Sequence, residues 1–428
     1  MKRKGVVSLV IALALVFSCM PAYAASTPAK VTGLKQTSAS EGTVTVSWNK
    51  AKNAKQYQVY VSSNGKSGKY KKVATVSAKK YTIKGYGANK TLWAKVRAVN
   101  GKKTGKFSSI VKAVTGKQKQ LVYAPAGTCE KYRQQMMKLK EQTNFVYSPV
   151  SLNTAMQMYL AYEPDNATAK ELVANKDYLG YKYGSKTYKS VNRIWVNKDR
   201  NVVTPASVKK YEYKLSMKDS KKATDEKNKF VSDNTNGFID GTPTILNSSV
   251  EYDIMNILYF KDAWKNGDLR KDSETTKFNN KKNVKMMNAS SDYYYENNTA
   301  YMIPIEYENG NRMLLIYPKT DINSVDLSNI ESSKVKNTAK VKFPPFSSKL
   351  SFTANKAYPG MPAMIMQTVR IVVNEKGTEA AAVTEALKCT SAPTQTKPLS
   401  LTFNKTFLYA IEDTTNGDIA FMGIVDTL

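Results

Sequence analysis

The sequence contains no histidine, and its 428 residues include only three cysteines. Without histidine there can be no Ser-His-Asp or Cys-His nucleophile system and no imidazole ligand for zinc. Three cysteines are too few for a four-thiolate zinc site. No cofactor and no metal are therefore expected, and the composition points away from hydrolysis and towards binding. Long apolar runs are equally scarce. The one run, residues 6–18, follows Lys2, Arg3 and Lys4 and precedes Ala22-Tyr23-Ala24. A basic start, a short apolar stretch and an A-x-A pattern describe a secretory leader over residues 1–24. The run is short for a bilayer span, so a secreted or cell-surface-associated mature chain from Ala25 is expected. Val16-Phe17-Ser18-Cys19 is a weaker reading as a lipidation motif, because Phe17 is bulky where such motifs prefer a small residue. Cys129 and Cys389 remain after cleavage. An oxidising compartment permits a disulfide, but two free thiols are the plainer reading.

Acidic residues are missing from one part of the chain. Residues 25–120 hold 21 Lys or Arg and a single acid, Glu41, whereas the chain as a whole carries +31. Such asymmetry marks a domain, and the polar run Gly116 to Gln120 reads as a linker. Within residues 28–116, Val44, Val46 and Trp48 alternate with polar residues, as do Tyr57, Val59 and Val61, then Leu92, Ala94, Val96 and Ala98. Period-2 alternation predicts strands with one buried face, and Asn64-Gly65 and Asn100-Gly101 are turn signals between them. With Trp48 and the stretch VRAVNGKKTGKFS, residues 28–116 resemble a fibronectin type III domain, an all-β sandwich. Leu92 stands where that family usually has its corner tyrosine. A net +20 on such a module suits an anionic cell-wall or glycan polymer. Nucleic acid is not expected, since no aromatic-interleaved basic motif appears along the chain and the protein reads as exported. A solvated lysine-rich spacer is the plainer alternative.

Residues 121–428 mix helix and strand signals in an α+β pattern with large, mostly antiparallel sheets and surrounding helices. Residues 129–141 suit an amphipathic helix, and Ser148-Pro149 starts another. Strands are predicted over 191–196, 254–260, 312–318, 341–346 and 369–373. A last pair, 401–413 and 417–426, joins through Thr415-Asn416-Gly417. The blocks NFVYSPVSLNTAM, VNRIWV, Asn228 to Ile239, MNILYFKDAW, VKMMN, MLLIYP, VKFPPF, VNEKGTEAAAVTEA and NKTFLYAIEDTTNGDIAFMG follow one another in the order found in serpins. This part of the chain resembles a serpin throughout. It is short for one: only 20 residues separate Phe346 from Gln367, where the family usually places several helices.

The resemblance implies a suicide inhibitor of serine proteases and not an enzyme. A protease cuts an exposed loop, forms an acyl-enzyme, and is carried away as the cut loop inserts into the main sheet. An inserted strand advances about 3.3 Å per residue, so about 14 residues move the protease roughly 50 Å. The inserting half must be small and uncharged where it faces the core. Glu375, Gly377, Thr378, Ala380, Ala381 and Ala382 form the hinge on this reading. Counting from Glu375 in the family spacing puts the reactive bond between Ser391 and Ala392, with Thr390 or Cys389 after a small shift. These small residues favour an elastase-like protease, while Lys388 would suit a trypsin-like one. In serpins a histidine closes the middle of the main sheet with two serines and an asparagine. Here Gln367 takes its place beside Ser148, Ser151 and Asn256, and a glutamine can both donate and accept. A monomer is expected. A non-inhibitory serpin-fold binding or adhesion protein is the alternative. The leader and the fibronectin-like module fit a bacterial exported protein.

Overall fold

In a computed structural model of the chain, the residues described are 26–40, 42–117, 122–140, 142–173, 176–180, 187–353, 366–378 and 397–428. The leader reading over 1–24, Ala380, Ala381 and Ala382 of the hinge, and Cys389, Thr390, Ser391 and Ala392 around the reactive bond lie outside them. The chain divides into two compact units between Lys119 and Gln120.

The N-terminal unit is built from strands alone among its described residues. They are β1 (Lys35–Ser40), β2 (Thr43–Ser47), β3 (Gln56–Ser62), β4 (Lys71–Val76), β5 (Lys80–Ile83), β6 (Thr91–Asn100), β7 (Lys103–Thr104) and β8 (Val111–Val114). One sheet runs β1-β2-β5 and the other β4-β3-β6-β7, with β8 on the same edge of β6 as β7, at the start of β6. The alternation read from sequence decides which face is buried. Tyr57, Val59 and Val61 of β3 and Leu92, Ala94, Val96 and Ala98 of β6 pack with Val44, Val46 and Ile83 of the other sheet and with Trp48 in one core. Leu92 is fully buried there. Gly101-Lys102 makes the tight turn from β6 to β7 between the paired Asn100 and Lys103, with Gly101 at φ 61°, a region glycine enters without steric cost.

The second unit begins with three helices, α1 (Thr128–Leu139), α2 (Pro149–Leu160) and α3 (Ala167–Val173). Helix α1 buries Cys129, Tyr132, Met136 and Leu139, one stripe at helical spacing. Helix α2 starts where the sequence says: Pro149 occupies its first turn and the Ser148 side chain accepts from Ser151 N–H. Between α1 and α2 lies β9 (Phe145–Tyr147). After them come β10 (Tyr188–Asn197), β11 (Glu212–Leu215), helix α4 (Ser220–Asn234), β12 (Tyr252–Phe260) and β13 (Asp262–Ala263).

The core sheet of this unit is seven-stranded. It orders Lys334–Val335, Tyr294–Glu296, Ala300–Glu306, Arg312–Pro318, Phe407–Asp413, Asp418–Val425 and β9. A four-stranded sheet orders Arg270–Lys271, Met287–Ser291, Ala339–Phe343 and Leu399–Thr402. Two predicted strands are in fact two each. Pro344 and Pro345 interrupt 341–346, so Ala339–Phe343 ends in the four-stranded sheet and Phe346–Thr353 starts in another. The run 401–413 likewise breaks at Phe403 to Thr406, with Leu399–Thr402 pairing parallel to Ala339–Phe343 and Phe407–Asp413 entering the seven-stranded sheet. Alternation alone cannot see such a change of sheet.

Candidate functional site

The site starts from one dipeptide. Gly377–Thr378 is a two-residue strand with a neighbour on each side: Asp262–Ala263 of β13 and Val373-Asn374 of the strand Met366–Asn374. Gly377 sits at φ 141°, and a Cβ there would lie 2.2 Å from the Asp262 carbonyl oxygen, so only glycine fits. Thr378 is 2% exposed, and its Oγ1 shares a hydrogen bond of 2.6 Å with the buried Tyr307 hydroxyl. The sequence reading puts Thr378 in the hinge of the half that enters the sheet after cleavage. Here it is buried already.

The turn before this dipeptide is held as firmly. Leu269 N–H donates to Glu375 O at 2.7 Å, Trp264 N–H to Lys376 O at 3.3 Å, and Trp264 Nε1–H to Asn374 O at 2.9 Å. Lys271 Nζ pairs with the Glu375 carboxylate at 2.8 Å, and its hydrogen bond holds that carboxyl below the usual range. Asp262, register partner of Thr378, accepts from Asn309 Nδ2 at 2.8 Å and Asn311 Nδ2 at 3.1 Å. Burial outweighs those donors and pushes its carboxyl up to about 6.

Beyond the dipeptide the two flanking strands part. β12 pairs with β10 on one edge, in the three-stranded order β11-β10-β12. Met366–Asn374 pairs with Phe346–Thr353 on one edge and meets Gly377–Thr378 only at Val373 and Asn374. Among the described residues no ladder joins β12 to Met366–Asn374. Among the described residues each therefore has no ladder partner on its second edge along most of its length, and such an edge has donors and acceptors able to receive another strand. The N-terminus of α2 bridges the two. The Gln367 side chain accepts from Ser148 N–H and donates to Ser148 O, both at 2.9 Å. Ser151 Oγ donates to the Asn256 carbonyl on β12 at 3.3 Å. The Asn256 side chain turns away, donating to Ser190 Oγ and Asn192 Oδ1 of β10, and leaves its own Oδ1 buried without a hydrogen-bond partner. The four residues thus form a chain through Ser148 and Ser151, and no direct Gln367–Asn256 bond is made.

Helix α4 covers the sheet beside this opening. Its N-cap is Asp219, which accepts from Lys222 N–H at 3.0 Å. Ala223, Lys227 and Val231 form its buried stripe. Lys227 is fully buried, donates to Thr244 O at 2.6 Å and pairs with Asp253 of β12 at 3.2 Å. Burial pushes the Asp253 carboxyl up despite that lysine. The segment after α4 reaches the far strands: Arg370 Nη1 donates to Phe238 O at 2.7 Å, Thr244 Oγ1 to Met366 Sδ at 3.2 Å, and Lys349 pairs with Asp240.

Of the residues singled out in sequence, the structure brings Glu375, Gly377 and Thr378 to one end of the opening and Ser148, Ser151, Asn256 and Gln367 to its middle. Sequence reasoning missed Asp262, Tyr307, Lys227 and Asp253. Lys227 had a signal, since it falls on the apolar stripe of α4 at i+4 from Ala223. Tyr307 had none, because only long-range pairing brings it to Thr378. Cys129 is a free thiol, buried, and burial pushes its pKa up. Among the described residues no cluster of three or more acidic or cysteine side chains could hold a metal ion.

Comparison with known proteins fits this geometry. Residues 128–361 and 346–427 match the family described as Serpin (serine protease inhibitor). The chain is 26% identical over 342 residues to an uncharacterized serpin-like protein of Thermococcus kodakarensis, covering 65% of this chain and 80% of that protein. It is 24% identical over 347 residues to serine protease inhibitor A6 of Xenopus laevis, covering 67% and 78%. Among solved structures, it resembles the thermophilic serpin tengpin in its native state, with TM-score 0.56 and 19% identity over 71% of this chain and 94% of that one. It also resembles thyroxine-binding globulin in complex with thyroxine, with TM-score 0.54 and 18% identity over 70% and 97%.

Proposed function

The chain belongs to the serpin family, and from that premise we propose that it is an exported suicide inhibitor of a serine protease, held at an anionic surface by its basic N-terminal module. Family membership supports protease inhibition and a serine protease as the coarse kind of partner. The observation that carries the mechanism is the docked dipeptide. Gly377–Thr378 already forms the first rungs of an extra strand, and from it continue the edges of β12 and Met366–Asn374 that have no ladder partner among the described residues. Cleavage further along the loop frees the segment after Thr378 to continue that strand. Gly377, Thr378, Ala380, Ala381 and Ala382 are small and uncharged, as strand insertion requires. Each added rung gains ladder hydrogen bonds and buried side chains, and the native state is a kinetic trap.

Ser148, Ser151, Asn256 and Gln367 act on this proposal as the catch that keeps the opening shut in its middle. Ser391-Ala392 is the reactive bond, and Thr390 and Cys389 are the neighbouring candidates. Small residues there favour an elastase-like target, with a trypsin-like enzyme acting through Lys388 as the runner-up. The first unit is a fibronectin type III-like module, and the leader over residues 1–24 places the mature monomer outside the cell. Mixing the protein with an elastase-like protease should give a band at the summed mass that survives denaturing electrophoresis. Cleavage without that band would favour the second reading, a non-inhibitory serpin-fold adhesion protein. The +20 charge of residues 25–120 is the feature that favours this alternative.

A further inference from the structure

The second face of the β4-β3-β6 sheet turns away from the core of the N-terminal unit and carries an ordered set of rings and cations. On β6 the residues between the buried ones are Trp93, Lys95 and Arg97; on β3 they are Gln58 and Tyr60. Register places Tyr60 opposite Lys95, Gln58 opposite Arg97, and Trp93 opposite Lys112 of β8. Arg97 donates to Gln58 Oε1 at 2.8 Å and to the Tyr60 hydroxyl at 3.0 Å, and its guanidinium lies 5.1 Å from the Phe107 ring centre. Lys95 Nζ lies 4.2 Å from the Tyr70 ring centre and 4.5 Å from that of Phe107. Rings, not carboxylates, hold these cations in place. The strands β3, β4, β6, β7 and β8 contain no acid at all. Lys95, Arg97 and Lys112 make no ion pair with a described residue, since the unit's one acid, Glu41, lies outside the described residues. The positive charge is therefore oriented and unneutralised.

Trp93 differs from the other three tryptophans. Trp48, Trp195 and Trp264 are 2–4% exposed, whereas Trp93 is only half-buried. It stands on a basic sheet face with Lys95 two positions on and Lys112 across the ladder. We propose that this face binds an acidic polysaccharide. Trp93 packs against the apolar face of a pyranose ring, and Lys95, Arg97 and Lys112 pair with carboxylates or sulfates along the polymer. The proposal rests on the reading that the module holds the protein at an anionic surface, and it names the site and the ligand class. A flat pleated sheet suits an extended chain: Trp93 to Arg97 spans about 13 Å along β6. Guanidinium forms bidentate pairs with carboxylate or sulfate oxygens, and a ring platform adds selectivity that charge alone lacks. A polyol phosphate offers no pyranose face to such a platform. A single-stranded nucleic acid would want successive open rings for its bases, and here Tyr60, Tyr70 and Phe107 are already engaged by Lys95 and Arg97. The basic and aromatic interleaving that the linear sequence lacks is thus assembled across strands.

The test titrates the full chain at low salt with polygalacturonate, dextran sulfate, polyphosphate and a single-stranded DNA oligonucleotide. Calorimetry gives the affinities, and tryptophan emission reports on Trp93. Polygalacturonate and dextran sulfate separate carboxylate from sulfate as the anionic group; binding of either with a change in tryptophan emission supports the proposal. Trp93→Ala should weaken binding of that polysaccharide about tenfold and leave polyphosphate binding unchanged, while Trp93→Phe should recover most of the loss. Lys95→Gln with Arg97→Gln should weaken both. Unchanged polysaccharide affinity in Trp93→Ala, at an unchanged thermal midpoint, overturns the site while leaving the charge-based reading intact. DNA binding of equal strength and equal dependence on Trp93 overturns the ligand class. No binding to any of the polymers overturns the surface-retention reading together with this one.

Discussion

Thr378 is the residue on which the inhibitory reading turns most sharply. It is buried in the uncut chain and bonded to Tyr307, whose hydroxyl is itself fully enclosed. Thr378→Arg would place a cation against that hydroxyl, where an unpaired buried charge costs several kcal/mol. We expect two effects: a lower thermal midpoint in the uncut protein, and conversion from inhibitor to substrate, read as loss of the denaturation-resistant complex with cleavage retained. An arginine variant that still forms the complex in one-to-one stoichiometry would contradict the role given to this position. Its register partner Asp262 supplies a pH test. The folded-state carboxyl stands near 6 against an ordinary 3.8. The stability it contributes is fully present below the ordinary value and is lost as pH rises through 6, on the order of 3 kcal/mol in all. The wild-type thermal midpoint should fall between pH 4 and pH 7, and Asp262→Asn should flatten that fall; equal slopes in both proteins would rule Asp262 out as its source. The chemistry of Gly377 and Thr378 was legible in the sequence because small residues there answer a steric demand. Their docked position was not, since Asp262 and Tyr307 are brought to them only by pairing of distant strands.

At the scale of elements, α4 packs over the sheet beside the opening. It is pinned to β12 through Lys227 and Asp253, an ion pair that burial makes costly to break one-sidedly. Lys227→Met should leave Asp253 buried and unpaired and lower stability by about 3–5 kcal/mol, measured by chemical denaturation. Adding Asp253→Leu should restore most of the loss, because replacing both partners removes the orphaned charge. A double variant no better than the single would mean that the pair does not act as a unit. The exposed pairs Lys221–Asp225 and Lys229–Asp233, one helical turn apart, contribute little by comparison. Elements with one periodic face were readable from sequence: α1, the start of α2, β3 and β6. Two kinds were not. The runs 341–346 and 401–413 each pass from one sheet to another without losing their apolar pattern. Helix α4 carries a lysine where its apolar stripe should continue, which weakens the period that would have announced it.

At the scale of the whole molecule, the charge asymmetry and the order of the serpin blocks were legible, since both are properties of the linear chain. What the linear chain does not display is that the sheet which receives the loop on the proposed mechanism is, among the described residues, divided in two. β11-β10-β12 and the sheet containing Met366–Asn374 meet through Gly377–Thr378 and through α2, and no ladder joins them directly among the described residues. On the proposed mechanism that division leaves ladder bonds to be gained on cleavage, and inhibition by insertion would depend on it. The most direct measurement is the thermal unfolding midpoint before and after the loop is nicked by a non-target protease. Insertion into the opening predicts a large upward shift on cleavage. An unchanged or lower midpoint would contradict strand insertion and leave the serpin fold here without its inhibitory mechanism.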